Sequence, residues 1–435
     1  MRSLTVALPA LTPDGWLLFA TRLVRLFAYG SLSVVLVLYL VERGLSEGRI
    51  GLLLTLTLIG DTIVSLRITT QADRIGRRRM LIVGAALMLF AGALFALTGD
   101  FVLLVIAATL GVISPSGNEV GPFLAIEQAA LSQTMPAVER TRLFAWYNLI
   151  GSLATAAGAL AGGGLAQALQ DAGVLPLTSY RAIVIGYAAL GLLLGLLFGR
   201  LSSAIETRSP PPTAGPSMLG LHRSRRTVFQ LSALFSLDSF AGGFVIQSLM
   251  AYWFHIRYGV EPGTLGAIFF GANVLSGISS LAAARIAARI GLINTMVFTH
   301  LPSNLLLILV PLMPTLPWAI LVLLIRFSIS QMDVPTRQSY TMAVVSADER
   351  SAAAGVTNVA RTIGASLAPA LAGLFIGNLA LSSLPFFIAG GLKIVYDLTL
   401  YRMFRALPPP EEANSQRSLS GSRRIDKSGG SGDPP

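Results

Sequence analysis

The chain contains no cysteine, so disulfides and thiolate metal sites are excluded. Its three histidines, His222, His255 and His300, are scattered along the sequence and suggest no zinc or iron–sulfur centre. No metal site, no cofactor and no catalytic residues are therefore expected. No G-x-x-x-x-G-K-S/T phosphate loop occurs, which argues against an ATP site of its own. Charge is scarce as well: 12% of the residues are charged, against about 25% in an ordinary soluble protein. Together with a mean hydropathy of +0.69, this excludes a water-soluble enzyme.

What is present is apolar length. The chain has 435 residues, 53% of them hydrophobic. One spanning helix takes roughly 20 of them, so a dozen would take about 240 to 280. Runs such as LSVVLVLYLV and IGYAALGLLLGLLFG do not alternate, which excludes a transmembrane β-barrel. Spans are predicted at 16–41, 50–70, 80–98, 101–127, 142–169 and 180–199. A second set is predicted at 227–254, 263–284, 292–313, 317–344, 352–378 and 383–404. Residues 1–15 have no short apolar core before a small-residue cleavage site, so the first apolar run reads as a retained span.

With both termini on one side, that side collects 21 of the 32 basic residues; the opposite loops hold only Arg43, Arg49, Arg181 and Arg257. The positive-inside rule then places the termini in the cytoplasm. The net charge of +11 reads as this topology signal, and no nucleic-acid partner is expected. The expected organisation is a cytoplasmic N-terminus (1–15), a six-helix bundle (16–199), a Pro-rich and basic linker (200–226), a second bundle (227–405) and a disordered cytoplasmic tail (406–435).

The two bundles look duplicated. Arg25-Leu-Phe-Ala-Tyr-Gly30 recurs as Asp238-Ser-Phe-Ala-Gly-Gly243, 213 positions later. ADRIG (72–76) recurs as AARIG (287–291) at an offset of 215. Glu139-Arg140 and Asn148 recur as Glu349-Arg350 and Asn358 at 210, with Gln128 matching Gln338. Parallel repeats about an axis along the membrane normal are a transporter architecture, in which two bundles rock about a shared site near the midplane.

Residues 72–79, Ala-Asp-Arg-Ile-Gly-Arg-Arg-Arg, lie in the short loop after the second span. Here the sequence resembles the major facilitator superfamily, whose corresponding loop has the form G-x-x-x-D-R-x-G-R-R. The resemblance covers about residues 14–405, with Thr69 where the family usually has its leading glycine. It implies an all-α membrane protein of 12 helices in two pseudo-symmetric bundles. It also implies a cytoplasmic gate at Asp73, Arg74, Gly76 and Arg77, with Asp73 near the start of the eleventh helix around Ser351–Ala353. The Arg-rich fourth-helix signature of drug exporters and the Gly-Pro of their fifth helix are both missing, which leaves drug antiport unsupported.

A charged side chain at a span centre costs roughly 2.5–3.5 kcal/mol on insertion scales, so it should face a cavity or a partner. Thirteen candidates occur: Arg22, Arg25, Asp61, Arg67, Glu119, Glu127, Asp238, Arg326, Asp333, Arg337, Arg361, Lys393 and Asp397. Arg22 and Asp397, near span ends, are expected to snorkel. In the resembled fold the first, fourth, seventh and tenth helices line the cavity, which puts Arg25, Glu119, Asp238, Asp333 and Arg337 there. Arg25 and Asp238, equivalent in the repeat, are expected either to pair or to flank a substrate or proton. Asp333 and Arg337 are expected to pair across a kink at Pro335. Glu127, which aligns with Arg337, is assigned to the cytoplasmic gate. Asp61 is either a coupling group or a hydrogen-bonded packing element. Pro115, Gly117, Gly121 and Pro122 should break the fourth span, and Trp253 is expected in the interfacial aromatic belt.

The resulting expectation is a monomeric secondary active transporter in the cell membrane (the inner membrane, if the source is a Gram-negative bacterium). It would move a small solute by alternating access, with protons as an available coupling partner. An uncoupled facilitator or a flippase for a lipid-like molecule is the alternative; an intramembrane enzyme and a non-transporting receptor rank lower.

Overall fold

The computed structural model describes residues 11–133, 137–206, 221–346 and 349–407. Residues 1–10, the Pro-rich part of the linker and the tail beyond Leu407 lie outside the described residues, as do the side chains of Glu139 and Arg140.

The first half comprises α1 (Pro13–Glu42), α2 (Glu47–Ile75), α3 (Arg77–Leu97), α4 (Phe101–Leu110), α5 (Phe123–Gln133), α6 (Ala137–Asp171) and α7 (Pro176–Phe198). The second comprises α8 (Arg225–Gly243), α9 (Gln247–Tyr258), α10 (Pro262–Ile290), α11 (Leu292–Leu309), α12 (Leu316–Ser330), α13 (Asp333–Val344), α14 (Arg350–Ile376) and α15 (Leu384–Phe404). Among the described residues, eleven stretches are long and apolar enough to cross a membrane; the predicted fourth span is two shorter apolar helices, α4 and α5.

Local chemistry sets the ends. Thr12 caps α1 by accepting from the Gly15 N–H, with Pro13 at the first position and Asp14 in the first turn. Gly76, between α2 and α3, and its repeat equivalent Gly291, between α10 and α11, have φ of +119° and +88°. A side chain would be strained at either turn, so the ADRIG and AARIG copies preserve a backbone geometry.

The duplication is legible in the packing. Within the first half, a Cβ on Gly30 would strike the Thr155 carbonyl, and one on Gly158 the Phe27 carbonyl, where α1 crosses α6. Within the second, Gly243 abuts Ala365 and Gly364 abuts Ser236, where α8 crosses α14. Between the halves the seams repeat as well. Gly51 of α2 lies against Gly373 of α14, and Gly163 of α6 against Gly266 of α10. Gly51 and Gly266 are offset by 215 positions and Gly163 and Gly373 by 210, the offsets seen in the motifs. Small residues allow helix backbones to touch, which supplies packing where no water is expelled.

These contacts between halves run from the middle of the bundle to the end opposite the linker. Among the described glycines, Gly277 against Ser152 is the contact nearest the linker. Thr55 accepts from the Ala370 N–H at 3.0 Å, and the Tyr252 hydroxyl donates to Glu47 at 2.8 Å, both towards that far end. Trp253 is fully buried among Phe254, Tyr258 and Phe386 rather than at an interface. The interfacial assignment is corrected because α9 lies against α1 inside the assembly.

At the linker end, carboxylates cap helices across the chain. Glu206 accepts from the Arg77 N–H at 2.7 Å at the start of α3. Glu349 accepts from the backbone N–H groups of His222, Arg223 and Ser224 at the start of α8. Hydrogen bonds from the Ser224 side chain and these amides hold the Glu349 carboxyl down to about 2, from an ordinary 4.5. A lowered carboxyl contributes stability that is full above its ordinary range and lost as pH falls through its folded value. Melting of the detergent-solubilised protein should therefore fall between about pH 5 and about pH 2, and the Glu349→Gln variant should show a shallower fall. An unchanged slope would remove Glu349 from this account.

Candidate functional site

The fourth span is unwound where its prolines and glycines predicted. Between α4 and α5, residues 111–122 are non-helical, with Gly117 and Gly121 at φ of +70° and +80°. Backbone groups freed in a membrane need protein partners, and side chains supply them. The Tyr187 hydroxyl donates to the Val112 carbonyl (2.7 Å), Ser114 to Asn118 (2.6 Å) and Tyr29 to Val120 (3.2 Å). Asp61 accepts from the Gly121 N–H at 2.7 Å and from the Ser65 hydroxyl at 3.2 Å. The same segment reaches the other half at the α8–α9 break: the Ser248 N–H donates to the Pro115 carbonyl, and Gln247 to Ser33.

The break delivers Glu119 into a cluster with α1. Arg25 is fully buried, and its Nε donates to Glu119 Oε1 at 2.7 Å. Its two terminal nitrogens grip Glu127 bidentately at 2.8 and 2.7 Å. Arg22 donates to the other Glu119 oxygen at 3.0 Å and to Asn148 at 3.3 Å. Thr21 and Tyr147 complete the donors to Glu127. Two cations and two carboxylates thus close on themselves.

The second half carries its own cluster. Asp238 of α8 receives Arg337 at 3.1 Å and Lys393 at 2.5 Å. Arg337 also meets Asp333 at 3.1 Å. His300 of α11 lies 3.9 Å from Asp238 and 2.8 Å from Asp397, which in turn accepts from Asn304 at 2.8 Å.

Several expectations are corrected by this geometry. Arg25 and Asp238 do not pair; each is turned into its own bundle and satisfied there. Glu127, assigned to the gate, is fully buried and held bidentately by Arg25. Arg22 and Asp397 do not snorkel; both are buried and bonded. The Asp333–Arg337 pair forms, but the break lies before it at Gln331–Met332, and Pro335 sits in the first turn of α13, where a missing N–H costs nothing. His300 and Asn304 were missed: a scattered histidine gives no metal signal, and only its four-residue spacing from Asn304 marks a shared helix face.

The loop motif forms a separate group. Asp73 accepts from Arg77 at 2.7 Å, and Arg77 reaches back to the Ile205 carbonyl, fastening the α2–α3 turn to the segment after α7. Arg74 is exposed, and Gly76 provides the turn.

Comparison with known proteins agrees with this architecture. The chain is 31% identical over 418 residues to the "Uncharacterized membrane protein YJR124C" of Saccharomyces cerevisiae, covering 89% of this chain and 93% of that protein. Among solved structures it is similar to a D-xylose–proton symporter (TM-score 0.70, 15% identity, 89% of this chain and 97% of that one). It is similar also to the nucleoside transporter NupG (TM-score 0.66, 14% identity, 90% and 99%). The sequence profile of the Major Facilitator Superfamily matches residues 18–369. The chain belongs to the Major Facilitator Superfamily and is a multi-pass membrane transporter rather than an enzyme.

Proposed function

We propose that this protein is a monomeric secondary active transporter of the cell membrane that carries a small solute by alternating access. The chain crosses the bilayer 12 times, with bundles at 16–199 and 227–405 and with the termini and linker in the cytoplasm. The bias of basic residues towards the linker side supports this orientation. The observation that carries the reading is the one-sided seam. The halves meet by backbone contact at the end away from the linker, while each keeps its charges in a cluster of its own. In this reading the conformation is the one open to the cytoplasm, and the Asp73 loop engages the eleventh helix in the opposite state.

Proton coupling is the finer part of the proposal. Asp61 is placed to serve it, because its carboxylate holds the Gly121 amide at the end of the unwound segment. Its protonation would release that amide and loosen the break. One of the solved neighbours is a proton symporter, which agrees with this reading. The test is flux in proteoliposomes under an imposed pH gradient, with a panel of solutes. Wild type should accumulate at least one solute faster with the gradient. Asp61→Asn should lose that acceleration yet keep solute exchange, and Asp238→Asn should lose both. Equal wild-type flux with and without the gradient would favour the facilitator alternative.

A further inference from the structure

Helices are interrupted in both halves, and two of the interruptions meet. Residues 111–122 unwind where α4 ends, and residues 244–246 part α8 from α9. From the end opposite the linker, the first break lies beyond the 10 residues of α4 and the second beyond the 12 of α9. At 1.5 Å per residue both sit about 15–18 Å deep, so they share one level.

Direct bonds join the halves there. The Ser248 N–H of α9 donates to the Pro115 carbonyl at 3.1 Å. Gln247 Nε2 donates to Ser33 of α1 at 2.8 Å, and Gln247 Oε1 accepts from Asn273 of α10 at 3.1 Å. A Cβ on Gly117 would lie 3.5 Å from Gln247 Nε2, so the next residue, Asn118, stands beside this network. Asn118 is exposed and Asn273 half-buried although both lie within the depth of the spans. A polar side chain at that depth faces a cavity or a partner. The Ser248 hydroxyl is fully buried and has no hydrogen-bond partner. Every one of these groups is uncharged. Among the described residues none is hydrogen-bonded to an ionisable side chain, and Glu119, next in sequence to Asn118, is taken by Arg22 and Arg25.

We propose that Asn118, Gln247 and Asn273, with the Pro115 carbonyl and the Ser248 N–H, form the subsite for an uncharged, hydroxyl-rich solute, a sugar or polyol. Discontinuous helices meeting at the interface between repeats are where transporters of this symmetry hold their substrates. When the halves part at this level, donors (Gln247 Nε2 and the Ser248 N–H) and an acceptor (the Pro115 carbonyl) lose their partners together. A hydroxyl both donates and accepts, so neighbouring hydroxyls on one small molecule replace both kinds of bond. A carboxylate only accepts and an ammonium only donates, and either brings a charge that nothing in this network offsets.

This inference rests on the transport reading for its physiological meaning, so binding and flux are measured separately. Thermal unfolding of the purified full chain is followed with ribose, glucose, mannitol and myo-inositol, beside gluconate and glucosamine. Concentrations stay at low millimolar, below the range in which polyols stabilise proteins by exclusion from their surface. At least one uncharged compound should raise the melting temperature by several degrees while gluconate and glucosamine do not. Gln247→Ala and Asn273→Ala should each weaken that compound at least tenfold. Gln247→Glu keeps the shape and adds a charge, so it should turn the preference towards glucosamine, which a merely structural role would not do. Stabilisation by no uncharged compound, or equally by the charged ones, would overturn the subsite. So would binding that both alanine variants leave unchanged, or an unaltered preference in Gln247→Glu. If a sugar or polyol binds but no solute crosses proteoliposomes, the subsite stands and the transport reading falls. If a charged solute is carried equally by wild type and both alanine variants, transport stands and the subsite falls.

Discussion

Arg25→Leu should remove most of the folded protein, not merely its transport. The substitution leaves Glu127 fully buried with only the Tyr147 and Thr21 hydroxyls as donors, and leaves Glu119 with Arg22 alone. Removing one partner of a buried pair costs about 3–5 kcal/mol, a large part of the roughly 5–15 kcal/mol that holds a protein folded. The expected result is a drop in yield and in unfolding midpoint in mild detergent. The double variant Arg25→Leu, Glu127→Leu should recover a substantial share, because an apolar pair no longer strands a charge. A single variant as stable as wild type would show that water solvates the cluster.

The second large effect is expected at the seam. Gly163→Leu places a side chain where the Gly266 backbone now lies. Overpacking of this kind costs about 1–3 kcal/mol, and that cost falls only on the conformation in which the seam is closed. It corresponds to a shift of roughly 5- to 150-fold in the balance of states. The chain has no cysteine, so a single Ser33→Cys provides a background-free probe. Ser33 is now buried beneath Gln247. In the Gly163→Leu background its reaction with a membrane-impermeant thiol reagent should quicken at least fivefold, and flux should fall in proportion. Unchanged labelling would place the moving contact elsewhere.

How much of this was legible beforehand depends on which coordinate of a helix a residue reports. Apolar length fixes where helices run, and the observed bounds fall close to the predicted spans except at the breaks. The Pro115–Pro122 cluster marked the unwound segment because proline and positive-φ glycine are local instructions. Repeat register fixes position along a helix, and it aligns Arg25 with Asp238. It does not fix the direction in which a side chain turns, so the pairing across the axis failed: Arg25 finds Glu119 only because residues 111–122 unwind. The snorkelling error has a simple origin. Helix α1 begins at Pro13, not at residue 16, which puts Arg22 about 13 Å inside it at 1.5 Å per residue. His300 stayed invisible because its role depends on Asp397, far along the chain.

The glycine seams also bear on energetics. Where main chain lies on main chain, parting the surfaces requires no long side chain to withdraw, and the polar groups to be resolvated are those of a few hydrogen bonds between the halves, such as Tyr252 to Glu47 and Gln247 to Ser33. The attraction given up is mostly dispersion, which lipid or solute can restore on either side. Two orientations related by such a hinge should lie close to isoenergetic, with neither acting as a deep trap. Net direction of movement would then be dictated by the concentrations of solute on the two sides, and the same molecule would run backwards when they are reversed.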